Sequence, residues 1–433
     1  MENIKNNVFS NWSGSVQFTP KEVKTPATIE ELQSIVRECA KNRSTIRVVG
    51  SGHSFTDVVK TKGTLISLDN LQGVENIDKQ NYQVTALAGT KLKWLGAKLF
   101  EIGMAQINLG DIDVQSIAGA LSTGTHGTGV AFGTLSTQMV EITLVTANGD
   151  LLVCSEKENK EIFKAAQVSL GTLGIMVKIR LQLVPTYKLK IIKAKNTLDN
   201  ILNNIDKFKN GSRNFEFYWF PHTNIIQTKD SDITDEAPIK TSFLKYFNDI
   251  ILENGVFKVL SELSRMFPSI SKYVAKISAA GVSTGLDINY SANIFATPRL
   301  VKFQEMEYNV PVENAVEVLK EMRETASNYK VHFPIEVRFV KGDDIYISPA
   351  YQRDAIYFAV HMYKGMEYKE YFAAMENIFK KYQGRPHWGK LHTRTAKEFS
   401  QLYPMWNKFQ EIRNQLDPNG LFMNDHMKKV MVE

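Results

Sequence analysis

Two glycine-rich stretches concentrate the residues that could bind a phosphorylated ligand. The first is Gly50-Ser51-Gly52-His53-Ser54-Phe55, which follows a β-rich run. Two glycines and two serines leave its backbone N–H groups little obstructed, and such a loop suits phosphate oxygens. An ordinary turn would have the same composition. A dinucleotide-binding fingerprint is disfavoured, because Phe55 occupies the third glycine position and the chain continues into another strand instead of a helix.

The second stretch runs from Ser116 to Gly129 and has a small residue at nearly every position. Each glycine costs roughly 0.5–1 kcal/mol relative to alanine in regular structure, so packing alone rarely demands so many. Such a run can lie flat against a large planar or phosphorylated ligand. It also changes the interpretation of His53, which by itself would be a loop histidine bonded to the backbone.

Three titratable residues in the second half could form a polar cluster on a sheet. In the strand-like run 334–340, Glu336 and Arg338 alternate with apolar residues and therefore share one face. A surface strand would show the same pattern. The run 356–363 carries His361 among apolar residues, where a histidine is more often a satisfied core residue. If the two strands pair, the three residues meet on an otherwise dry sheet, and a buried cluster of that kind needs a partner or a ligand.

Lys390 follows a Trp-Gly turn in the run 385–390. A lysine beside an aromatic residue usually lays its stem along the ring. In a site, its ammonium group could stabilise negative charge on an alkoxide or on a reduced cofactor. Metal and nucleophile chemistry have little support, because the eight histidines form no helical His-x-x-x-His pair and no Gly-x-Ser-x-Gly motif occurs. We therefore expect no metal.

The composition is that of a globular protein with more than one domain. The chain has 433 residues, of which 43% are apolar and 23% are charged, and its formal net charge is +6. Without a basic run, this small excess gives no support for nucleic-acid binding. The two cysteines, the N-terminus without an apolar signal core, and the lack of an apolar stretch of about 20 residues predict a cytoplasmic protein with no integral membrane segment.

Small helical and strand units alternate in the first 185 residues, which must position both glycine-rich stretches. A capping box of Thr28 and Glu31 begins a helix over 29–41. Further strands are predicted near 45–49, 64–68, 82–87, 142–145, 151–154 and 175–184, with helices over 92–102 and 160–168. The connection 108–137 shows little periodicity and is long enough to be functional. Asn148-Gly149 predicts a hairpin, and Pro185 is the candidate domain boundary.

Beyond Pro185 the pattern predicts a second sheet. Its strands are expected near 187–193, 214–220, 301–310, 335–340 and 356–363, with helices near 312–328, 368–381 and 405–416. In the run 214–220, aromatic residues alternate with Glu216 and Tyr218, as in a strand with one buried face. The segment 240–285 is predicted to be a helical cap.

Five motifs together make the chain similar to a known family. They are Gly50-Ser51-Gly52-His53-Ser54-Phe55, Gly124-Thr125-His126-Gly127-Thr128-Gly129, Glu305-Met306-Glu307-Tyr308, His387-Trp388-Gly389-Lys390 and Asp417-Pro418-Asn419-Gly420. With them, the chain resembles the aldonolactone oxidase and alditol oxidase branch of the vanillyl-alcohol-oxidase-type FAD flavoproteins, from Asn11 to Asn424. The resemblance implies an α+β fold of two domains. A PCMH-type FAD-binding domain would span 1–185, and a substrate domain with an antiparallel sheet would span 186–433.

The resemblance also implies a cofactor and the residues that hold it. His53 stands where family members attach the flavin 8α-methyl group, so we expect a covalent histidyl FAD. The second stretch has no cysteine, so a single link is expected. The residues expected to contact FAD are Gly50, Ser51, Gly52, His53, Ser54, Ser116, Gly119, Ser122, Thr123, Gly124, His126, Gly127, Gly129, Gly174 and Lys390.

By the same resemblance, the reaction is the oxidation of a sugar-derived alcohol by hydride transfer to flavin N5. Glu336 and Arg338 would orient the substrate hydroxyls, and His361 would hydrogen-bond within their cluster. Lys390 would face the substrate oxygen or the flavin pyrimidine ring. Arg338 is favoured as an electrostatic stabiliser of the alkoxide, because arginine is a poor base. Which of these four catalytic residues takes the hydroxyl proton stays open.

The expected substrate is an aldono-1,4-lactone of the L-gulono, L-galactono or D-arabinono type, with O2 or an artificial electron acceptor reoxidising the flavin. An alditol of the xylitol or sorbitol type is the alternative. Two other functions are less favoured. One is a nicotinamide dehydrogenase, which Phe55 disfavours, and the other is a non-catalytic sugar- or anion-binding protein.

Overall fold

The chain is described by a computed structural model for residues 4–5, 7–239, 253–295 and 301–433. The described residues up to 185 form short strands and helices around a large hydrophobic core, with a smaller cluster of Phe9, Val16, Val49 and Leu65 beside it. The strands are β1 (Ile4–Lys5), β2 (Val8–Ser10), β3 (Gln17–Phe18), β4 (Glu22–Lys24), β5 (Ile46–Val49), β6 (Thr64–Ser67), β7 (Val74–Asp78), β8 (Gln83–Leu87), β9 (Met104–Ala105), β10 (Met139–Val145), β11 (Leu151–Ser155), β12 (Ile175–Gln182) and β13 (Val184–Pro185). The helices are α1 (Ile29–Lys41), α2 (Leu92–Glu101), α3 (Ile117–Ser122) and α4 (Lys160–Ala166).

Helix α1 begins and ends where its sequence pattern predicts. The Thr28 hydroxyl accepts a hydrogen bond from the Glu31 amide at 3.1 Å, which satisfies one of the free N–H groups of the first turn. Leu32, Val36 and Cys39, spaced along one helix face, are all buried. The predicted helix over 29–41 is confirmed.

Two sheets of the first part bring the glycine-rich stretches to one place. Strands β4, β6 and β5 form a small parallel sheet in which Val49 pairs with Ser67, and the first glycine loop starts directly after β5. Strands β11, β10, β12, β8 and β7 form an antiparallel sheet. Its β10–β11 hairpin turns at the predicted Asn148-Gly149, with Val145 opposite Leu151.

The connection 108–137 differs from its prediction as a stretch without regular structure. It contains α3 and a 3-10 helix, Leu135–Gln138. Ile117, Ala120 and Leu121 are buried, so three apolar positions on one side are enough to fix a single short helix among glycines and hydroxyls. A six-residue helix is too short to produce a recognisable period in the sequence.

The second part contains the predicted second sheet. Its strands are β14 (Lys188–Thr197), β15 (Asn214–Trp219), β16 (Ile225–Ile233), β17 (Gly285–Tyr290), β18 (Phe303–Pro311), β19 (Ile335–Val340), β20 (Ala355–Tyr363) and β21 (Arg385–Pro386). They are antiparallel in the order β17-β14-β16-β15-β19-β20-β18-β21. The helices that accompany them are α5 (Leu198–Lys209), α6 (Glu253–Met266), α7 (Ser271–Ala280), α8 (Ser291–Ile294), α9 (Ala315–Ala326) and α10 (Lys369–Lys381).

One face of this sheet is dry and the other is polar. On β15, Phe215, Phe217 and Trp219 are buried in a core that includes apolar residues of α5, α9 and α10. Glu216 and Tyr218 project from the opposite face, as the alternation predicts. Strands β19 and β20 pair, with Arg338 opposite Tyr357, which settles the pairing that the sequence left open.

The predicted helical cap over 240–285 is only partly described. Helices α6 and α7 lie within it, and β17 begins at its end. Its first residues, 240–252, lie outside the described residues. None of the helices in the described ranges is long and apolar enough to cross a membrane.

The end of the chain returns to the first part. Helices α11 (Ala396–Leu402), α12 (Trp406–Leu416) and α13 (Asp425–Met431) contribute Phe399, Phe409 and Met427 to the same core as α1 and the sheet β11-β10-β12-β8-β7. The division at residue 185 stays a prediction. The segment after residue 185 supplies side chains to the large core of the first part and also to the core beside the second sheet.

Candidate active site

The first glycine loop and α3 form part of the walls of a cavity. Ten of the residues predicted to contact a cofactor line it: Gly50, Ser51, Gly52, His53, Ser54, Ser116, Gly119, Ser122, Thr123 and Gly174. We call this space the cofactor cavity. The charged side chains in its lining are those of Arg47 and Asp69, so its walls are mostly backbone and small side chains.

Two glycines in the loop are required by its geometry. Gly52 has φ +66°, a left-handed conformation that other residues rarely adopt. At Gly50, a Cβ would lie 2.2 Å from the Ser116 hydroxyl, so the loop and the start of α3 pack too closely for a side chain.

Neighbouring segments hold the loop in place. Its Gly52 carbonyl accepts from the Trp12 amide at 2.8 Å, and the Phe55 amide donates to the Gly389 carbonyl at 2.7 Å. Within the described ranges, the amides of Gly52, His53 and Ser54 donate to no protein acceptor. Successive open amides between small side chains suit the oxygens of a diphosphate or of a flavin ring, so the residues present fit the predicted FAD.

A second cavity is lined by all four predicted catalytic residues. Glu336 and Arg338 come from β19, His361 comes from β20, and Lys390 follows β21. We call this space the substrate cavity. It shares His53, Ser54, Gln115 and Thr123 with the cofactor cavity, so the two cavities are adjacent.

His53 lies where the two cavities meet. Burial, with the nearby Lys390 ammonium as a second cause, lowers the pKa of His53 to about 4. The imidazole is therefore neutral at pH 7 and keeps a lone pair for bonding. Its ring stacks against Trp12, with the ring centroids 5.8 Å apart.

Arg338 is surrounded by carboxylates. Its Nε bonds to Glu216 at 2.8 Å, and its Nη2 bonds to Asp111 at 2.5 Å and to Glu336. Burial opposes the positive charge, but these carboxylates raise the pKa of Arg338, so it stays a cation. The Tyr218 hydroxyl donates to Glu336 Oε1 at 3.0 Å.

Lys390 and His361 share one carboxylate. Lys390 Nζ lies 2.5 Å from Glu305 Oε2, and His361 Nε2 lies 3.6 Å from Glu305 Oε1. The other ring nitrogen of His361 faces the Pro334 carbonyl at 3.1 Å. Burial opposes ionisation of Glu305, yet the Lys390 ammonium lowers the pKa of Glu305, so the pair is ionic. The carboxylate nearest to His361 is therefore Glu305, and the His361 ring hydrogen-bonds to the Pro334 carbonyl.

His126 forms a second buried acid–base pair on the same wall. Its Nδ1 lies 2.8 Å from the Gly127 carbonyl, and its Nε2 lies 3.1 Å from Glu307 Oε1. Both nitrogens thus face acceptors, which requires a proton on each or one on Glu307. Burial opposes ionisation of Glu307, but His126 lowers the pKa of Glu307 to about 2, so this side chain is a carboxylate.

Three predicted cofactor contacts have other surroundings. Gly124, Gly127 and Gly129 line neither the cofactor cavity nor the substrate cavity. A Cβ on Gly127 would lie 2.2 Å from the Leu109 carbonyl, and the Gly129 amide donates to the Phe339 carbonyl at 2.7 Å. These glycines pack the second stretch against its neighbours, and their role in cofactor binding stays a prediction.

Sequence reasoning did not select four acidic residues that complete the site: Asp111, Glu216, Glu305 and Glu307. Glu305 and Glu307 alternate with apolar residues on β18, and this pattern could have indicated a polar face. Asp111 lies in an irregular connection and carries no such signal.

Comparisons with known proteins show the family and the fold to which the chain is similar. A family model for D-arabinono-1,4-lactone oxidase matches residues 179–430, and a model for an FAD-binding domain matches residues 20–155. The L-gulono-1,4-lactone dehydrogenase of Mycobacterium tuberculosis is 38% identical, covering 98% of this chain and 99% of the relative. The L-gulonolactone oxidase of Bos taurus is 35% identical, covering 98% of each chain. In fold, a cholesterol oxidase from B. sterolicum is similar with a TM-score of 0.83 at 18% identity, covering 98% of this chain and 96% of that one.

Proposed function

The chain belongs to the D-arabinono-1,4-lactone oxidase family of FAD-dependent oxidoreductases, and we propose that it oxidises the alcohol of an aldono-1,4-lactone of the L-gulono, L-galactono or D-arabinono type. The family and the two-domain FAD-binding fold predicted from the sequence are confirmed. The identity of the lactone is part of the proposal.

One observation carries the proposal. The cavity that joins Glu336, Arg338, His361 and Lys390 shares the wall residues His53, Ser54, Gln115 and Thr123 with the cofactor cavity. A substrate held by the four side chains would therefore lie against a ring held by the glycine loop. Bound FAD would supply the hydride acceptor for the carbon that bears the substrate hydroxyl.

The charges of the substrate cavity suit a neutral polyhydroxylated molecule. Glu336 accepts a hydrogen bond from the reacting hydroxyl and then its proton, because Arg338 and Tyr218 hold the carboxylate in place. Arg338, a permanent cation, stabilises the oxygen as negative charge develops on it. Lys390, which is paired with Glu305, donates to a second substrate oxygen.

We propose that His53 links the protein covalently to FAD. Its neutral imidazole borders the cofactor cavity, as such a link requires. Acid-precipitated native protein should retain yellow, fluorescent flavin on the polypeptide after electrophoresis, and His53→Ala should lose it. His387→Ala is the matched control, because burial also lowers the pKa of His387 to about 4, and His387 lines the substrate cavity, which His53 also borders. Equal retention in native protein and His53→Ala would remove His53 from this role.

The substrate is tested by anaerobic bleaching of the flavin band at about 450 nm. L-gulono-, L-galactono- and D-arabinono-1,4-lactone are compared with xylitol and sorbitol, and air or an artificial acceptor is then added to follow reoxidation. Bleaching by a lactone supports the proposal, and bleaching by the alditols alone would replace it with alditol oxidation. Glu336→Gln should retain the flavin and suppress bleaching; native-like reduction of that variant would refute the assignment of Glu336.

A further inference from the structure

The three carboxylates around Arg338 come from three places in the chain. Glu336 lies two residues away on β19, and Glu216 lies opposite Arg338 on β15. Asp111 lies on the connection between β9 and α3, in the FAD-binding domain. Glu336 and Glu216 therefore move with the sheet, whereas Asp111 ties Arg338 to the segment that lines the cofactor cavity at Gln115 and Ser116.

This arrangement fixes the orientation of the guanidinium. Glu216 forms an ion pair with Nε of Arg338, and Asp111 and Glu336 both form ion pairs with its Nη2. Arg338 lines the substrate cavity, so its guanidinium can reach a ligand bound there. The side chains of Arg338 and Asp111 are only 10% and 13% exposed, so water does not replace a lost partner easily.

We propose that Asp111 is a positioning residue that holds Arg338 at a fixed place relative to the cofactor cavity and to the reacting oxygen. The proposal deepens the proposed function and rests on it, because the position of Arg338 matters only if negative charge develops on a substrate oxygen. That charge is largest in the transition state, so misplacing Arg338 should slow the chemical step more than it weakens substrate binding.

The competing explanation is that Asp111 only holds the two domains together. Asn214 supplies a matched control for this possibility. Its side-chain amide on β15 donates to Asn108 Oδ1 at 3.2 Å and to the Thr128 carbonyl at 2.6 Å, so it links the same sheet to the same connection. Asn214→Ala removes that link and leaves the three carboxylates of Arg338 in place.

The experiment measures flavin bleaching by stopped flow with the lactone that reduces the native protein, which separates substrate affinity from the reduction rate. In Asp111→Asn, an isosteric change, the reduction rate should fall about 10- to 100-fold while the dissociation constant changes by less than about 3-fold. The reduction rate of Asp111→Ala should fall at least as far, and the reduction rate of Asp111→Glu should lie between those of Asp111→Asn and the native protein. Flavin content and the urea unfolding midpoint are recorded for each variant, so a folding defect is seen directly.

Asn214→Ala should lower the unfolding midpoint and keep the reduction rate within about 3-fold of native, since it loses a buried hydrogen bond and not an Arg338 contact. A native reduction rate in Asp111→Ala would overturn the inference. An equal loss of rate in Asn214→Ala would also overturn it, because domain docking alone would then explain the effect. If no lactone bleaches the native flavin, the proposed function falls and this inference with it, an outcome that the native protein alone reveals.

Discussion

Replacing Glu305 by glutamine should destabilise the protein by leaving a buried cation without a counter-ion. Glu305 binds Lys390 Nζ at 2.5 Å, and the two side chains are 8% and 14% exposed. Glutamine keeps the volume of the side chain and removes its charge. Removing one partner of a buried ion pair costs about 3–5 kcal/mol in the free energy of unfolding. We expect about 3 kcal/mol, the lower limit, because the ammonium borders a cavity.

A second substitution tests the cause of this loss. In the native background, Lys390→Met leaves Glu305 ionised and buried, so it should also destabilise the protein. In the Glu305→Gln background the same change removes the unpaired ammonium and should restore about 1–2 kcal/mol. Urea unfolding followed by tryptophan fluorescence measures both, because Trp388 is buried two residues before Lys390.

The exposed pair of Lys408 and Glu411 is the control. Their side chains are 43% and 69% exposed, so Glu411→Gln should cost less than about 1 kcal/mol. If Lys390→Met destabilises the native protein and the Glu305→Gln variant equally, the two charges are not coupled. The account of this site as an ionic pair would then be wrong.

Two other substitutions follow from burial and from close packing. Burial lowers the pKa of His392 from 6.5 to about 3, so between these two values the unfolded chain binds a proton that the folded chain excludes. The free energy of unfolding therefore decreases as the pH falls from about 6.5 towards about 3, by up to about 1.4 kcal/mol per pH unit. His392→Phe should reduce that slope in urea midpoints taken between about pH 7 and about pH 4, and an unchanged slope would contradict the assignment. Gly50→Ala places a Cβ 2.2 Å from Ser116 Oγ and should lower the flavin content, read from the absorbance ratio at about 450 and about 280 nm. The double variant Gly50→Ala, Ser116→Gly should recover part of the flavin content. A native flavin content in Gly50→Ala alone would show that the loop shifts enough to accommodate the added methyl group.

Local patterns predicted most of the elements that position the site. The alternation over 335–340 gives β19 with its observed bounds, Ile335–Val340, and places Glu336 and Arg338 on one face. The capping residues of α1 and the turn residues of the β10–β11 hairpin act on their immediate neighbours, so they are visible in the sequence.

The rest of the site depends on contacts between distant segments. Asp111 meets Arg338 because two domains pack together, and nothing in the residues around Asp111 indicates that meeting. His361 is predicted to bond within the cluster of Glu336 and Arg338, but Glu305 lies opposite it on β18, the neighbour of β20 on the side away from β19. Pairing with a non-consecutive strand is set by the whole sheet and not by the local pattern.

The buried guanidinium of Arg47 has a consequence for biosynthesis. Arg47 lies in the wall of the cofactor cavity and donates to the carbonyls of Val58, Leu170 and Phe422, the last of which belongs to the returning end of the chain. During synthesis the N-terminal segments emerge from the ribosome first, yet Arg47 gains its hydrogen bond to the Phe422 carbonyl only when translation is nearly finished. The wall of the cofactor cavity at Arg47 is therefore completed late in synthesis, and a chain that ends before Phe422 would lack one of these hydrogen bonds.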